Sequence, residues 1–417
     1  MKILVLNSGS SSQKICLYEI GEALPENVPA CLWQTKIEWQ GNAADVEITN
    51  GRGAPAKRHI SVSSPADATE QLLRGLWEGD EKAVDSAAEI DMVGHRVVHG
   101  GPRFKDPVLI TAEVKAAIAG ASAFAPLHNG AELQGMESIE KVMGDVPQVA
   151  VFDTGFHQNM PLASVVYPGP YEWFDAGIRR YGFHGINHQY CARRAAQFLG
   201  RNPDALRLVS CHLGNGCSLA AVRGGKSIDT TMGFTPVEGL MMGTRSGSVD
   251  PGILTYLMRQ NQVSGEQIDD ILNKRSGLLG VSGVSGDMRE ILAAMKSGNG
   301  RAKLALDIYI HRLQSGIGAM IAVLGGIDAL IFTAGVGENS AEVRAETCAN
   351  LAFAGIRLDT TKNAANGKDA TGSANARGDR DISTTASPCR ILVISAQEDW
   401  EIACDCWKLA KRPGDFS

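Results

Sequence analysis

Short apolar runs separated by Gly/Ser-rich turns dominate the chain, with longer amphipathic segments between them. Residues 3–6, Ile-Leu-Val-Leu, form a continuous apolar run that ends in Asn7-Ser-Gly-Ser-Ser-Ser12, and a second run, Ile15-Cys-Leu-Tyr18, follows Gln13 and Lys14. Run, polar turn and run predict a β-hairpin rather than the strand-to-helix step of a P-loop. A related unit recurs as Leu208-Val-Ser-Cys211, the turn spanning 212–218, and Leu219-Ala-Ala-Val222. A third Gly-rich turn, Thr333-Ala-Gly-Val-Gly-Glu-Asn339, follows the strand pattern of 329–332 but leads into a helical pattern from Ser340. Helical periodicity is also present in 112–119, 188–199, 265–272 and 303–324. Strands alternating with helices predict α/β layers, and two strand–turn–strand units about 200 residues apart predict a duplicated architecture rather than a solenoid. Residues 42–65 and 361–381 read as solvated surface loops.

Length and charge narrow the function classes. The 417 residues are ample for two or three domains, and the balance of 40 basic against 46 acidic residues gives a net charge of −6. A basic footprint for nucleic acid is missing, as is a Lys/Arg run suited to a membrane surface. The most apolar stretch, 317–327, is interrupted by Gly325 and Gly326 and stopped by Asp328, well short of the ~20 residues that span a bilayer. The opening MKILVLNSGS lacks the long apolar region of a secretory signal and reads as a first strand, so a soluble, cytoplasmic protein is expected. Nine cysteines without a CxxC pair argue against a disulfide framework or a zinc site and read as small buried hydrophobes in a reducing compartment.

The turns and the charged residues beside apolar runs carry the candidate chemistry. Backbone N–H groups in tight Gly turns converge on anions, and Ser hydroxyls add donors, so Asn7 to Ser12 and Gly214 to Ser218 are candidate phosphate loops; an ordinary hairpin wants the same residues. Arg96 in Gly94-His-Arg-Val-Val-His-Gly-Gly101 and Arg245 in Met242-Gly-Thr-Arg-Ser-Gly-Ser248 carry guanidinium forks that match phosphoryl and carboxylate oxygens; a surface salt bridge is the bland alternative. Of the histidines, His184 in Tyr-Gly-Phe-His-Gly stands out, while His99 and His128 read equally well as satisfied core residues. Asp153 follows the apolar run 149–152, and Glu398 follows the run from Ile391 in the same way. Ligand sites collect at strand C-termini, where hard oxygens suit Mg²⁺; either acid alone is also a reasonable helix N-cap.

Seven motifs in order along the chain resemble the acetate kinase (acetokinase) family. They are Asn7-Ser-Gly-Ser-Ser-Ser12, Gly94-His-Arg-Val-Val-His-Gly, Val151-Phe-Asp-Thr-Gly-Phe-His157, Tyr181-Gly-Phe-His-Gly185, His212-Leu-Gly-Asn-Gly216, Met232-Gly-Phe-Thr-Pro236 with Met242-Gly-Thr-Arg245, and the turn 333–339. The resemblance implies an α/β fold of two similar actin-like ATPase domains, with mixed sheets flanked by helices around a nucleotide cleft. It implies one domain from 1–154 plus about 399–417 and a nucleotide-binding domain from 155–398, in a homodimer. Asn7, Ser10, Ser12, Lys14, His212, Leu213, Gly214, Asn215 and Gly216 are implied to contact phosphates. Gly335, Val336, Gly337, Glu338 and Asn339 are implied to line the adenosine pocket. Asn7, Asp153 and Glu398 would organise Mg²⁺ (Mn²⁺ as a substitute), directly or through water. Arg96, Asp153, His184 and Arg245 form the implied catalytic set, with Val98, Leu127, Phe183 and Pro236 around the acyl methyl group.

The activity so implied is reversible phosphoryl transfer between ATP and acetate, giving ADP and acetyl phosphate. A carboxylate nucleophile is already ionised at neutral pH and needs no general base, which fits a mainly cationic catalytic set. A propionate or butyrate kinase of the same family is the near alternative, and an actin-like ATPase binding module the distant one.

Overall fold

The computed structural model describes residues 1–8, 12–40, 43–51, 55–121, 129–365 and 378–412. They divide into two compact units, Met1–Gly155 with Gln397–Ser417, and Phe156–Ala396. The first unit carries an eight-stranded sheet among its described residues: β1 (Lys2–Ser8), β2 (Ser12–Glu19), β3 (Trp33–Gln40), β4 (Ala43–Thr49), β5 (Ala56–Ser61), β6 (Met92–Val97), β7 (Val108–Leu109) and β8 (Gln148–Phe152), in the order 5-4-3-2-1-6-8-7. β1, β6 and β8 run parallel in the centre, with Ile3 opposite Met92 and Val93 opposite Gln148, while β1 to β5 form an antiparallel meander. Ile3, Leu4, Val5 and Leu6 are all buried, which explains why β1 reads as an unbroken apolar run: a central parallel strand is covered on both faces.

The second unit carries β9 (Arg207–Leu213), β10 (Cys217–Arg223), β11 (Lys226–Thr230), β12 (Ala329–Thr333), β13 (Arg380–Asp381) and β14 (Arg390–Val393), in the order 11-10-9-12-14-13. β9, β12 and β14 are parallel, and β9, β10 and β11 are antiparallel. The run 11-10-9-12-14 therefore repeats the order and the directions of 3-2-1-6-8, which makes the architectural duplication concrete. Both expected hairpins form, β1–β2 with Asn7 opposite Lys14 and β9–β10 with Cys217 opposite Leu213.

The helices form where the periodicity predicts and extend a little beyond it. Gly265–Lys274 starts one residue after Ser264, whose side chain takes the Gln267 N–H while Gln267 returns to the Ser264 N–H. Gly300–Leu324 is capped by Asn299 and stopped by Gly325 at φ 69°, and it buries a stripe at Ala302, Leu306, Tyr309, Leu313, Ile317, Met320 and Leu324. Two expectations are corrected. Residues 43–49 and 56–61 are strands rather than loop, because Ala44, Val46 and Ile48 alternate inward behind polar neighbours. Of 361–381, the part described contains the end of a helix, Thr360–Ala364, and the strand β13, and the remainder lies outside the described residues.

Two features of the first unit predict measurable behaviour. The helix Glu398–Ala410 lies so close to β6 that a β-carbon on Gly94 would sit 2.6 Å from Cys406 Sγ and 2.7 Å from Ile402 Cγ2. Gly94→Ala is expected to lower stability by about 1–3 kcal/mol through overpacking, read as a fall in the urea midpoint at unchanged slope. His95 is buried, with its ring Nε2 2.7 Å from Gln148 Oε1, and burial pushes its pKa down to about 4. A depressed pKa means that this contribution is whole above the unfolded value near 6.5 and is lost as pH falls through 4. His95→Gln is expected to reduce proton uptake on unfolding at pH 5 by about one proton, seen as a shallower fall of stability with acid.

Candidate active site

In the first unit, three parallel neighbours deliver their C-terminal ends side by side. Asn7 ends β1, Arg96 lies near the end of β6 and Asp153 follows β8, its N–H donating to Val97 O at 2.9 Å. Arg96 grips Asp153 with two nitrogens, Nη2 to Oδ2 at 2.5 Å and Nε to Oδ1 at 3.2 Å, and Asp153 is fully buried. Burial alone would lower the Arg96 pKa, but Asp153, Glu398 and Glu132 together hold it above its ordinary value. Asn7 Nδ2 donates to Glu398 Oε2 at 3.2 Å and Asp399 Oδ1 at 3.0 Å, and its Oδ1 faces Arg96 Nη1 at 3.5 Å. Lys14, across the hairpin, pairs with Asp399 Oδ2 at 2.5 Å. Glu398 is not at a strand end, as expected, but opens the helix Glu398–Ala410 after β14 has stopped at Val393. The unwound link 394–397 separates the two, because its residues return the chain from one unit to the other.

Asn7, Lys14, Arg96, Asp153 and Glu398 thus form one connected set within this unit. Ser12 begins β2, whereas Ser10 and Leu127 lie outside the described residues, as does His128. Val98 is buried just beyond Arg96, and its N–H donates to Glu132 Oε1 at 3.0 Å. Burial pushes the Glu132 pKa up to about 8, with Arg96 and the Val98 bond pulling against it.

In the second unit the His212–Gly216 turn is the centre. His184 caps the helix Gly185–Leu199 with a left-handed backbone, φ 56°, uncommon for a residue with a β-carbon. Its ring stacks on His212 at 4.0 Å, and its Nδ1 lies 2.9 Å from Ser218 Oγ. Asn187 Nδ2 donates to His212 Nδ1 at 2.7 Å, leaving the His212 Nε2 to carry the proton of a neutral ring. A β-carbon on Gly216 would meet Arg245 Nη2 at 2.6 Å and His184 Nε2 at 3.3 Å, so only glycine lets both side chains close over this turn. Arg245 Nη1 donates to Pro236 O at 2.7 Å. Among the described residues Arg245 has no carboxylate partner, and burial lowers its pKa. Phe183 is buried next to His184, and its carbonyl faces His157 Nε2 at 3.2 Å.

The same turn opens into a cavity of about 920 Å³, whose lining includes Gly214, Asn215, Gly286, Gly335, Val336 and Asn339. Its size is that of a site for a nucleotide-sized ligand. The Gly-rich turn after β12 is a short helix, Ala334–Asn339, entered through Ala334 at φ 64°. Gly335, Val336 and Asn339 face the cavity; the Gly337 and Glu338 carbonyls accept from the buried Arg344, and Glu338 Oε1 accepts from Ala396 N. Leu213 points into the sheet core.

Several contributors left no mark in the sequence reading. Arg180 donates to Thr231 O, Met232 O and Glu238, and Glu238 also takes the Tyr167 hydroxyl, so three side chains strap down the loop that carries Pro236. Asn187 and Ser218 orient the stacked histidines, and 286–292 supplies one wall of the cavity. Tyr167 and Arg180 lie far in sequence from the loop they hold, whereas Ser218 ends the Gly-rich turn singled out from the sequence, and helix register from His184 would have singled out Asn187.

The acetokinase family model matches residues 2–404. An acetate kinase of a Cyanothece species is 57% identical over 411 residues, 98% of both chains. The crystal structure of Porphyromonas gingivalis acetate kinase superposes with a TM-score of 0.86 at 41% identity, covering 98% of this chain and 100% of that one. A propionate kinase from Francisella tularensis gives 0.85 at 37% identity, covering 97% and 98%. The fold is thus the actin-like ATPase fold of these kinases, and the chain belongs to the acetokinase family.

Proposed function

We propose that the chain transfers the γ-phosphoryl group of ATP directly to the carboxylate of acetate, reversibly, giving ADP and acetyl phosphate. One observation carries this reading: a half-buried arginine, Arg245, with no carboxylate partner among the described residues, is held beside His184 over the Gly216 turn. Such a group is an anion receptor, since a buried cation without a counter-ion is costly until a ligand supplies one. The second unit binds the nucleotide, with adenosine in the cavity walled by Gly335, Val336 and Asn339 and the phosphates at Gly214 to Gly216. Asn7, Asp153 and Glu398 offer oxygen donors alone, the chemistry that suits Mg²⁺, with Mn²⁺ as a substitute. Bound there, the ion supplies positive charge to the phosphate oxygens.

The protein's own side chains then have separate tasks. Arg245 keeps Nη1 on Pro236 O, which leaves Nη2 directed at the turn. Ser218 holds His184 by Nδ1, so its Nε2 faces the same place. Arg96 is assigned to the acyl carboxylate, and Val98, Phe183 and Pro236 are assigned to its methyl group. No base is needed, because acetate arrives ionised; fixed cations offset the repulsion between two anions and stabilise the charge on the equatorial oxygens during in-line transfer. The enzyme works in the cytoplasm as a homodimer. In support, no described helix is long and apolar enough to cross a membrane, and the helix Pro251–Gln260 buries none of its residues while exposing Ile253, Tyr256 and Met258.

Arg245→Ala and Arg96→Ala are each expected to lower turnover by ~10²–10³ while the circular dichroism spectrum is retained. Acetyl hydroxamate formation with ATP, acetate and hydroxylamine measures this; near-normal turnover in folded Arg245→Ala overturns the assignment, and ATP hydrolysis indifferent to acetate favours the binding module. Among short carboxylates, kcat/KM is expected to fall from acetate to propionate to butyrate, each step within the roughly 1–3 kcal/mol that one methylene commands in an apolar pocket. A maximum at propionate would reassign the chain to the propionate kinase branch.

A further inference from the structure

The cysteines were expected to be inert, and eight of the nine are buried; Cys31 is half-exposed and stands apart. In the pairing of β2 with β3, Cys16 is opposite Gln34 and Leu17 opposite Trp33. Leu32 N–H also donates to Leu17 O, at 2.8 Å, so two residues of one strand face one of the other. This bulge-like offset brings Cys31 round to the face of the sheet that carries Cys16, Tyr18 and Gln34. Both sulfurs pack on the same amide oxygen, Cys16 Sγ at 3.8 Å and Cys31 Sγ at 3.9 Å from Gln34 Oε1. Cys16 Sγ also reaches Asp399 Oδ2 at 3.6 Å, the carboxylate that holds Asn7 and Lys14. We propose that Cys16 and Cys31 form a reversible disulfide whose formation lowers phosphoryl transfer by disturbing Asp399, and through it Asn7 and Lys14. The effect on turnover rests on the function proposed above; the bond does not.

The two thiols have unequal character. The neighbouring Cys16 thiol, with Tyr18 and Lys14 adding to its effect against burial, brings the Cys31 pKa down to about 7; the Cys31 thiol, burial and Asp399 push Cys16 up. Cys31 is therefore the attacking thiolate, and it can be reached from solvent. It attacks one sulfur of a disulfide oxidant such as oxidised glutathione and expels the first thiolate, giving a mixed disulfide. Cys16 then attacks Cys31 Sγ, gives up its proton and expels the second, so two electrons leave the protein dithiol and two small thiols are produced. Cys31 lies in the segment between β2 and β3 outside the sheet ladder, which allows its backbone to close the last distance.

Fully reduced protein is assayed first, then equilibrated with oxidised glutathione, blocked with N-ethylmaleimide and mapped as peptides without reduction. A Cys16–Cys31 linked peptide is expected, with turnover lowered by roughly tenfold, the effect of losing one hydrogen bond to a charged group, and restored by dithiothreitol. Cys31→Ser is expected to match the reduced enzyme and to ignore the oxidant. Glutathione retained on Cys31, a bond between other cysteines, unchanged turnover in the linked form, or an oxidant-sensitive Cys31→Ser each overturn the proposal. Inactivity of the reduced protein on acetate would instead count against the proposed reaction, while the peptide map would still report on the bond.

Discussion

Fixed positive charge is the constraint on which the rest of this structure depends, and its two arginines hold that charge in opposite states. Arg96 is neutralised by Asp153 through two hydrogen bonds, and the pair acts as a braced unit that positions its own acid as firmly as its own base. Arg245 has a carbonyl for company, and the unspent field of its guanidinium is directed at the glycine turn. A desolvated cation of this kind costs stability. The surrounding network offsets that cost: the Tyr167–Glu238–Arg180 strap fixes the loop whose Pro236 carbonyl accepts from Arg245. Two left-handed residues, His184 and Ala334, border the same region, so backbone strain and electrostatic strain are concentrated where a ligand is expected to relieve them.

The histidines of the second unit serve a different purpose from the arginines. His157, His188, His212 and His184 form a continuous array, with ring centroids 5.7, 6.2 and 4.0 Å apart. Burial brings the His157 pKa down to about 4 and that of His188 well below its ordinary value, with neighbouring rings adding to the effect on His188. These two are packing elements with hydrogen-bonding edges. Ser210, Ser218 and Ser227 satisfy their ring nitrogens, and the stack transmits that order to His184 at its end. A polar core of this type specifies one arrangement because each alternative leaves a buried donor or acceptor unpaired.

Much of the scaffold was legible from local pattern. Both hairpins and the parallel strands around them follow from apolar runs and Gly/Ser punctuation, since these signals are local and β1 is covered on both faces. Residues 43–49 were misread because short side chains and acids hide an inward alternation that only the neighbouring strands make valuable. Arg96 and Arg245 were singled out because their isolation between glycines is itself a local signal. Glu132, Asp399, Arg180 and Glu238 were not: a buried acid that takes a backbone N–H, or an arginine that gathers three carbonyls, looks like any surface charge until the chain folds. Asp399 is the sharpest case. Its neighbour Glu398 was singled out, yet Asp399 binds three side chains of the first hairpin.

The first unit is not continuous in sequence, and this has a consequence for how the protein is made. Its sheet is translated early, but the helix that covers β1 and β6 and carries Asp399 emerges only after the whole of Phe156–Ala396. Until then Gly94 faces no Ile402 or Cys406, and Asn7 and Lys14 have no carboxylate to hold them. The nascent chain therefore carries an open apolar sheet face past the ribosome exit until this helix follows. The first hairpin is therefore secured only once the C-terminal helix arrives.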